Sequence, residues 1–463
     1  MHRLLADDLA QLPDLLDLAR DRAAAVLAGL DSRPVVAAGV RGGARVPDAV
    51  PLPADGVGAA AALAEFTELW EPHMSASAGP RYFGFVTGGT TPAALAGDWL
   101  TAALDQNANS SFEYGGQGLE RQTVAWLREL FGLGPAHSGT FVSGATMSNF
   151  VGLAIAREWL GTRLGVSVAA NGAAALGRVR VLSGTAHSSI AKALSMLGLG
   201  RSALVPVPVL HNREAVDVAA LERELEAAEG PCVVVANAGT VNTVDFDDLR
   251  AIAALRARHD FWLHVDAAFG GFAALSPRHA HHVAGLDEAD SICIDLHKWL
   301  NVPYDSAIQF TRRRDLQTSV FQNSAAYLGP LGEEPDLVHL TPENSHRLRA
   351  LAAWFTLRAY GREGHREIVE HCAESALAFH AAVEATPGLV PLAPLRLNVV
   401  CFTLADDPTA DRIQALIRAV SEEAFFTPTV YQGVPAIRAA FSNWRTTADD
   451  VERSVRALRA ALG

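Results

Sequence analysis

The chain has 463 residues, 49% of them hydrophobic, so it can bury a large core and is expected to form more than one lobe. Its formal net charge of −13 argues against a nucleic-acid surface, because phosphate binding depends on clustered Lys and Arg. No stretch approaches the roughly 18 uninterrupted apolar residues of a membrane span, and the N-terminus lacks the apolar core of a signal peptide. We therefore expect neither membrane insertion nor secretion.

The four cysteines are far apart, and none belongs to a C-x-x-C pair. They are Cys232, Cys293, Cys372 and Cys401. This pattern is typical of reduced core thiols in a cytoplasmic protein, and it predicts neither disulfides nor a metal site.

The N-terminal segment has a helical pattern but no core of its own. Between residues 4 and 30 the apolar residues recur at intervals of three and four, which predicts one or two amphipathic helices. A loop rich in Pro and Gly follows over residues 31–58. Such an arm must bury its apolar face on the body of its own chain or on a partner.

Residues 79–89 are too rich in Gly and aromatic residues for a regular element. Tyr82, Phe83 and Phe85 are candidates for substrate contact. Core packing explains the same residues equally well, so both interpretations stay open.

A turn of small residues opens a predicted helix after residue 144. Gly144, Ala145 and Thr146 follow a predicted strand, and the helical pattern continues over residues 150–160. Small side chains let backbone N–H groups approach an anion at the positive end of the helix dipole. We therefore predict that Ala145 and Thr146 bind a phosphate group.

Strands and helices then alternate, which predicts an α/β fold with a doubly wound, mostly parallel sheet. The predicted strands are 179–182, 203–207, 232–236, 261–265, 291–294 and 307–311, and the helices between them are 188–197, 218–228 and 249–259. Long helical patterns over 346–360 and 363–385 lead to a second lobe with strands 397–404 and 436–442 and helices 410–423 and 449–462. We expect an N-terminal helical arm (1–78), a large domain (79–345) and a C-terminal α+β small domain (346–463).

A carboxylate and a lysine follow two neighbouring strands of this sheet. Asp266 ends the run Phe-Trp-Leu-His-Val-Asp, and Lys298 follows the run Ser-Ile-Cys-Ile-Asp-Leu-His. Ligands bind at the carboxyl ends of strands in open α/β sheets, so the two side chains are expected to share one site. Pyridoxal phosphate needs this pair: a lysine for a Schiff base and a carboxylate beside the pyridinium nitrogen.

The order strand-Asp-Ala-Ala and then strand-His-Lys-Trp resembles the fold-type I pyridoxal phosphate enzymes of the group II amino-acid decarboxylase family, which includes aromatic-L-amino-acid and glutamate decarboxylases. Ala-His-Ser-Ser at 186–189 and Ala-Gly-Thr at 238–240 extend the resemblance. It implies pyridoxal phosphate as cofactor, a small-molecule amino acid as substrate, and a homodimer whose sites use both chains. Residues 113–118 depart from the Ser-Pro and Thr of many members.

The resemblance also implies roles for individual residues. His187 and Ala268 are expected on opposite faces of the cofactor ring, and Thr240 within hydrogen-bond reach of the cofactor or of the substrate carboxylate. His297 is expected near the phosphate. Tyr327 matches the tyrosine of the family's catalytic loop, where an acid can protonate Cα after CO₂ has left.

These residues predict an L-amino-acid decarboxylase that releases CO₂ and a primary amine, with Lys298, Tyr327 and His187 as its catalytic residues. Three alternatives stay open. An aminotransferase would need an arginine for the substrate carboxylate, and Arg438 is the candidate. An aldehyde synthase would let oxygen consume the carbanion before protonation. A degenerate chain of this fold would bind without catalysis. The aromatic residues near 79–89 allow an aromatic or branched apolar substrate.

Overall fold

The structure, a computed structural model, describes residues 1–37, 40, 48, 50–108, 115–323 and 334–463. Its centre is a seven-stranded sheet in the order β1-β7-β6-β5-β4-β2-β3. The strands are β1 Ser138–Val142, β2 Val181–Ser183, β3 Leu204–Pro206, β4 Cys232–Asn237, β5 Phe261–Asp266, β6 Ser291–Ile294 and β7 Ala307–Thr311. Neighbours from β6 to β3 are parallel, and β7 lies antiparallel between β1 and β6. The predicted mostly parallel sheet is confirmed.

Helices cover both faces of this sheet. The helices that precede, connect or follow its strands are α4 Pro92–Leu104, α5 Gln117–Leu130, α6 Ala145–Leu164, α7 Val168–Asn171, α8 Ser188–Met196, α9 Val218–Glu226, α10 Leu249–Ala254, α11 Leu296–Trp299 and α12 Arg314–Phe321. Side chains of β4 alternate between two cores: Val233 and Val235 pack in one, and Val234 and Ala236 in the other. This alternation is what a strand buried on both faces requires.

The C-terminal part of the chain forms a second sheet with the antiparallel order β10-β11-β9-β8. Its strands are β8 Leu389–Pro391, β9 Val399–Leu404, β10 Thr427–Tyr431 and β11 Val434–Ala440, and its helices are α13 Ala350–Glu384, α14 Ala410–Val420 and α15 Ala448–Leu462. Strands β8 and β10 were not predicted from the sequence. Both lie at the edges of this sheet and contain a proline, which removes a ladder donor and weakens the strand pattern.

Helix α13 includes both long helices predicted from the sequence. Gly361 interrupts its backbone with a φ of 61° and a ψ of −170°. A residue with a side chain adopts this conformation at a steric cost, so glycine marks the break between the two predicted helices.

Within the described residues, the N-terminal arm contains α1 Arg3–Ala10, α2 Leu12–Ala28 and α3 Ala59–Leu69, and none of these helices has a buried residue. Leu5, Leu9 and Leu16 are each at least 60% exposed. The arm therefore presents an apolar surface that the described residues of the chain leave uncovered. Among the described helices, none is both long and apolar enough to cross a bilayer.

Residues 79–89 run along the second sheet. The backbone N–H of Phe83 donates to Phe425, and that of Ala440 donates back to Phe83. The Phe83 ring is fully buried against Phe441 and Phe379. Core packing is therefore the role of Phe83, whereas Phe85 is 61% exposed.

Candidate active site

Polar side chains from the carboxyl ends of the parallel strands meet at one cavity of about 270 Å³. Its described lining consists of Phe85, Val86, Ala145, Thr185, His187, Asn237, Gly239, Thr240, Val241, Asp266, Ala268, Phe269, Lys298, Tyr304 and Arg438. Asp266 ends β5, and Lys298 lies on the short helix that follows β6. The two residues predicted to form the centre of the site thus face the same space.

Lys298 lies beside the buried carboxylate of Asp295, which was not predicted from the sequence as a site residue. Its Nζ lies 3.3 Å from Oδ2 of Asp295, and Nε2 of His297 lies 3.1 Å from Oδ1 of the same side chain. Burial opposes ionisation of Asp295, but Lys298 and His297 outweigh it, so the pKa of Asp295 is lowered. The ammonium of Lys298 also lies 5.5 Å from the centre of the Phe269 ring.

Gly88 brings the 79–89 segment directly against the backbone of Lys298. A Cβ built on Gly88 would lie 1.6 Å from the carbonyl oxygen of Lys298. The Asn301 side chain, three residues after Lys298, donates hydrogen bonds to the carbonyls of Gly88 and Ser442 at 2.5 and 2.8 Å. A glycine at this point is what permits the close approach.

Asp266 lies on the face of β5 that α6 covers. Alternation along the strand places Trp262, His264 and Asp266 on the same face. Oδ1 of Asp266 accepts a hydrogen bond from the backbone N–H of Ala268 at 3.2 Å, and Oδ2 accepts one from the side-chain amide of Asn149 at 2.9 Å. The carboxylate is 7% exposed and lines the cavity.

His187 caps the N-terminus of α8, where its Nδ1 accepts a hydrogen bond from the backbone N–H of Ser189 at 3.2 Å. Burial lowers the pKa of His187, and the carboxylate of Asp266 only partly offsets this effect. The imidazole is therefore neutral at pH 7. Its proton is on Nε2, since Nδ1 is an acceptor. A neutral flat ring in the cavity suits stacking on another flat ring, and the buried methyl group of Ala268 lines the same cavity.

The first turn of α6 points toward the cavity. Gly144 precedes the helix without a side-chain cap, so the first N–H groups are left for an anion. Ala145 lines the cavity, and Thr146 lies on the same turn outside the described lining. His297 lies close to this turn, because a Cβ on Gly144 would be 3.4 Å from its Cε1 atom. Its Nδ1 accepts a hydrogen bond from the backbone N–H of Ser306 at 3.3 Å.

Thr240 and Arg438 complete the polar lining. The hydroxyl of Thr240 donates to Oε2 of Glu214 at 2.6 Å and accepts from the backbone N–H of Asp245 at 2.9 Å. Arg438 on β11 donates to the carbonyl of Phe85 at 3.0 Å, and its buried Nε lacks a partner among the described residues. Burial lowers the pKa of Arg438 to about 10, so the guanidinium remains charged at pH 7.

Several residues in or behind the lining were not singled out from the sequence, among them Thr185, Tyr304, Asn149, His264 and Asp295. His264 and Asp295 carry a signal, because they lie within and directly after an apolar strand, whereas Asn149 lies on helix α6. Tyr327 was predicted as an acid and lies outside the described residues.

The described residues fit pyridoxal phosphate. The cofactor carries an aldehyde, a pyridine nitrogen and a phosphate, which need an amine, a carboxylate and an anion site respectively. Lys298, Asp266 and the uncapped first turn of α6 supply these groups.

Comparisons with known proteins agree with this fit. A family model described as the pyridoxal-dependent decarboxylase conserved domain matches residues 53–405. The chain is 32% identical over 435 residues to an L-2,4-diaminobutyrate decarboxylase of Rhizobium meliloti, covering 91% of this chain and 85% of the relative. It is 25% identical to an aromatic-L-amino-acid decarboxylase of Bacillus atrophaeus, covering 82% and 81% of the two chains. The crystal structure of Oryza sativa TDC with PLP and tryptamine matches with a TM-score of 0.88 and 23% identity, over 100% of this chain and 99% of that one.

The family match extends from within the N-terminal arm, before α3, into the second lobe, and the structural likeness confirms the predicted fold-type I arrangement. The comparisons favour a decarboxylase over the aminotransferase and non-catalytic alternatives. The chain therefore belongs to the pyridoxal-dependent decarboxylase family, and it is a carboxy-lyase that uses pyridoxal phosphate.

Proposed function

We propose that this chain decarboxylates an L-amino acid to a primary amine, with Lys298 and Asp266 as the two residues that hold the cofactor's reactive ends. One observation carries the proposal: the amine of Lys298 and the carboxylate of Asp266 line the same cavity, with His187 and Ala268 in the same lining. An amine alone or a carboxylate alone is common in α/β sites. Their convergence at the strand ends is what pyridoxal phosphate requires.

Bound pyridoxal phosphate supplies an electron sink for the charge left at Cα when CO₂ departs. Lys298 would hold the cofactor at its aldehyde end through its side-chain amine, the group that the substrate amine would replace. Asp266 is proposed to hold a proton on the ring nitrogen. His187 and Ala268 are proposed to fix the tilt of the ring from its two faces.

The anion site is proposed to lie at the first turn of α6. Ala145 and Thr146 would donate backbone N–H groups to the phosphate, and the adjacent His297 would add its ring at the same end of the cavity. Thr240 is proposed to contact the cofactor or the substrate carboxylate through its hydroxyl oxygen. Its proton is directed at Glu214, so Thr240 is available as an acceptor for a donor group of the cofactor, and a hydrogen bond to the substrate carboxylate would require the hydroxyl to turn away from Glu214.

Tyr327 is proposed to donate its phenolic proton to Cα of the substrate after CO₂ has left. The proposal is supported by the spacing of Tyr327 from Lys298, which resembles that of the family's catalytic-loop tyrosine. Proton transfer at this carbon completes the amine, so an acid that closes over the cavity suits the reaction.

The substrate is proposed to carry an aromatic or branched apolar side chain. Phe85, Phe269 and Tyr304 line the cavity, and Asp266 is the one acidic side chain in its described lining. Because Asp266 is assigned to the cofactor, the described lining offers no second carboxylate for a substrate side-chain ammonium. The positive charge of Arg438 is proposed to attract the substrate carboxylate. Because two relatives are named L-2,4-diaminobutyrate decarboxylase, that amino acid is the substrate against which an aromatic or branched apolar amino acid should be compared.

A homodimer is proposed to cover the arm formed by α1, α2 and α3. The support is physical: Leu5, Leu9 and Leu16 form part of an exposed apolar surface on helices without a buried residue. Light scattering should give twice the mass of one chain, and an active monomer would contradict the proposal. We also propose the division 1–78, 79–345 and 346–463, and a cytoplasmic location in which the buried free cysteines stay reduced.

Borohydride reduction tests the assignment of the cofactor. Protein loaded with pyridoxal phosphate is expected to be yellow, and reduction followed by peptide mapping is expected to locate the label on Lys298. Lys298→Ala should abolish the label. Lys192→Ala is the matched control, because Lys192 lies on α8 outside the cavity lining; a label on Lys192 would overturn the assignment.

A further inference from the structure

A chain of buried hydrogen bonds connects Trp262 on β5 to Asn149 on α6. The indole Nε1 of Trp262 donates to Oγ of Ser291 at 2.9 Å, and this Oγ lies 2.7 Å from Nδ1 of His264. Nε2 of His264 lies 2.9 Å from Oδ1 of Asn149. Ser291 and His264 are opposite each other on the parallel strands β6 and β5, and all four side chains are buried.

The chain then branches at Asn149. Its Nδ2 lies 2.9 Å from Oδ2 of Asp266 and 3.0 Å from Oγ of Ser189. Oγ of Ser189 in turn lies 2.8 Å from Nδ1 of His187. One amide therefore contacts both the carboxylate and, through a hydroxyl, the histidine of the proposed cofactor site.

The donor and acceptor at each step follow from the chemistry of the two ends. An indole N–H can only donate, so Ser291 accepts from Trp262 and uses its own proton for Nδ1 of His264. Burial lowers the pKa of His264 to about 4, so its ring is neutral at pH 7 and its single N–H is on Nε2. That N–H needs the oxygen of Asn149. In the opposite orientation, the amide oxygen of Asn149 would face the carboxylate of Asp266, and two acceptors would oppose each other.

The packing of α6 holds this arrangement in place. Gly152 lies one turn after Asn149, and a Cβ built on it would be 2.7 Å from Cε1 of His264. A real Cβ at this position would displace the imidazole or the helix. The close approach allows His264 to reach Asn149 across the sheet–helix interface.

We propose that Asn149 is a positioning residue that holds the carboxylate of Asp266 directed at the cavity, and that His264 fixes the amide orientation this requires. A carboxylate held in this direction would pair with the protonated ring nitrogen of the cofactor. The proposal rests on the proposed pairing of Asp266 with that nitrogen.

Asn149→Asp is the sharpest test, because it keeps the shape and the oxygen that faces His264 but replaces the donor at Asp266 with an acceptor. Two carboxylates at this distance cannot both ionise. Asn149→Leu removes the donor without adding charge, and His264→Phe removes the group that orients the amide. Ser148→Ala is the matched control, since it removes a buried hydrogen bond to the carbonyl of Ile308 from the adjacent position on α6.

The first measurement is the Kd for pyridoxal phosphate, determined by titrating cofactor-free protein. Loss of a hydrogen bond to a charged group should raise the Kd of both Asn149 variants about tenfold or more. The second is the ¹⁵N chemical shift of the ring nitrogen in ¹⁵N-labelled pyridoxal phosphate bound to the protein. It should move toward the unprotonated value in the Asn149 variants and, by a smaller amount, in His264→Phe, whereas Ser148→Ala should match the wild type.

A Kd and a ¹⁵N shift in Asn149→Leu equal to those of Ser148→Ala would overturn the role of Asn149. An unchanged His264→Phe beside altered Asn149 variants would overturn the orienting role of His264. If both Asn149 variants fail to fold, the ¹⁵N shift in His264→Phe decides the proposal. Failure of the wild type to bind pyridoxal phosphate would instead count against the proposed function.

Discussion

Asp295 and Lys298 form an ion pair in the cavity wall, with Oδ2 and Nζ 3.3 Å apart. The carboxylate is 3% exposed, so its charge is stabilised by Lys298 and by the adjacent His297 rather than by water. Lys298 is the amine proposed to react with the cofactor's aldehyde. Asp295 therefore fixes the position of that amine before the cofactor enters.

Asp295→Asn should destabilise cofactor-free protein at pH 7. Removing one partner of a buried pair costs about 3 kcal/mol. Because the pKa of Asp295 is lowered in the folded protein, its ionisation contributes stability above its ordinary pKa of 3.8, and this contribution is lost as the pH falls through the folded value. In urea unfolding measured from pH 7 to pH 3, the free energy of unfolding should thus fall less in the variant than in the wild type. Parallel curves for the two proteins would contradict this account of Asp295.

The buried side chain of His264 should also make the stability of the protein depend on pH. Its pKa is lowered from 6.5 to about 4, so the unfolded chain binds a proton at a higher pH than the folded one. The contribution is complete above pH 6.5 and is lost as the pH falls toward 4. Between pH 7 and pH 5 the free energy of unfolding of the wild type should fall by about 2 kcal/mol more than that of His264→Phe. Equal losses, measured by urea unfolding of the cofactor-free proteins, would show that His264 is not buried in its neutral form.

Gly88→Ala should displace Lys298, since the added Cβ would overlap the carbonyl oxygen of Lys298. The overlap is between main-chain positions, so one of the two backbone segments would have to move. We expect decarboxylation to fall at least about tenfold, with a weaker yield of reducible cofactor label on Lys298. Gly134→Ala is the control, because a Cβ there meets nothing within 4 Å. Full activity and labelling in Gly88→Ala would mean that the segment 79–89 moves freely away from Lys298.

Tyr327→Phe removes the proposed acid while keeping the aromatic ring. CO₂ release should continue in part, but the charge at Cα should persist long enough to meet oxygen, so aldehyde, ammonia and peroxide should replace the amine. Tyr360→Phe is the control: its hydroxyl accepts a hydrogen bond from the backbone of Ala93, away from the cavity lining. A uniform loss of activity with unchanged products would indicate that Tyr327 only packs its loop.

The sequence predicts the centre of this site because Asp266 and Lys298 follow strands, and the carboxyl ends of parallel strands meet at one edge. The sequence does not predict the hydrogen-bonded side chains that lie behind these two residues. Asn149, His264 and Ser291 come from a helix and two strands far apart in the chain, and their contacts depend on how α6 lies across the sheet. The edge strands β8 and β10 were missed for a local reason, since proline weakens the pattern of each.

The ratio of CO₂ to primary amine tests most directly whether this chain decarboxylates an L-amino acid to an amine. Purified protein loaded with pyridoxal phosphate is incubated with aromatic and branched apolar L-amino acids and with L-2,4-diaminobutyrate, and CO₂, amine and peroxide are measured on the same samples. The account predicts CO₂ and primary amine in a ratio of about one to one, without peroxide, fastest for an aromatic or branched apolar substrate. Amine transfer to a keto acid without CO₂, or CO₂ accompanied by peroxide and aldehyde, would contradict it.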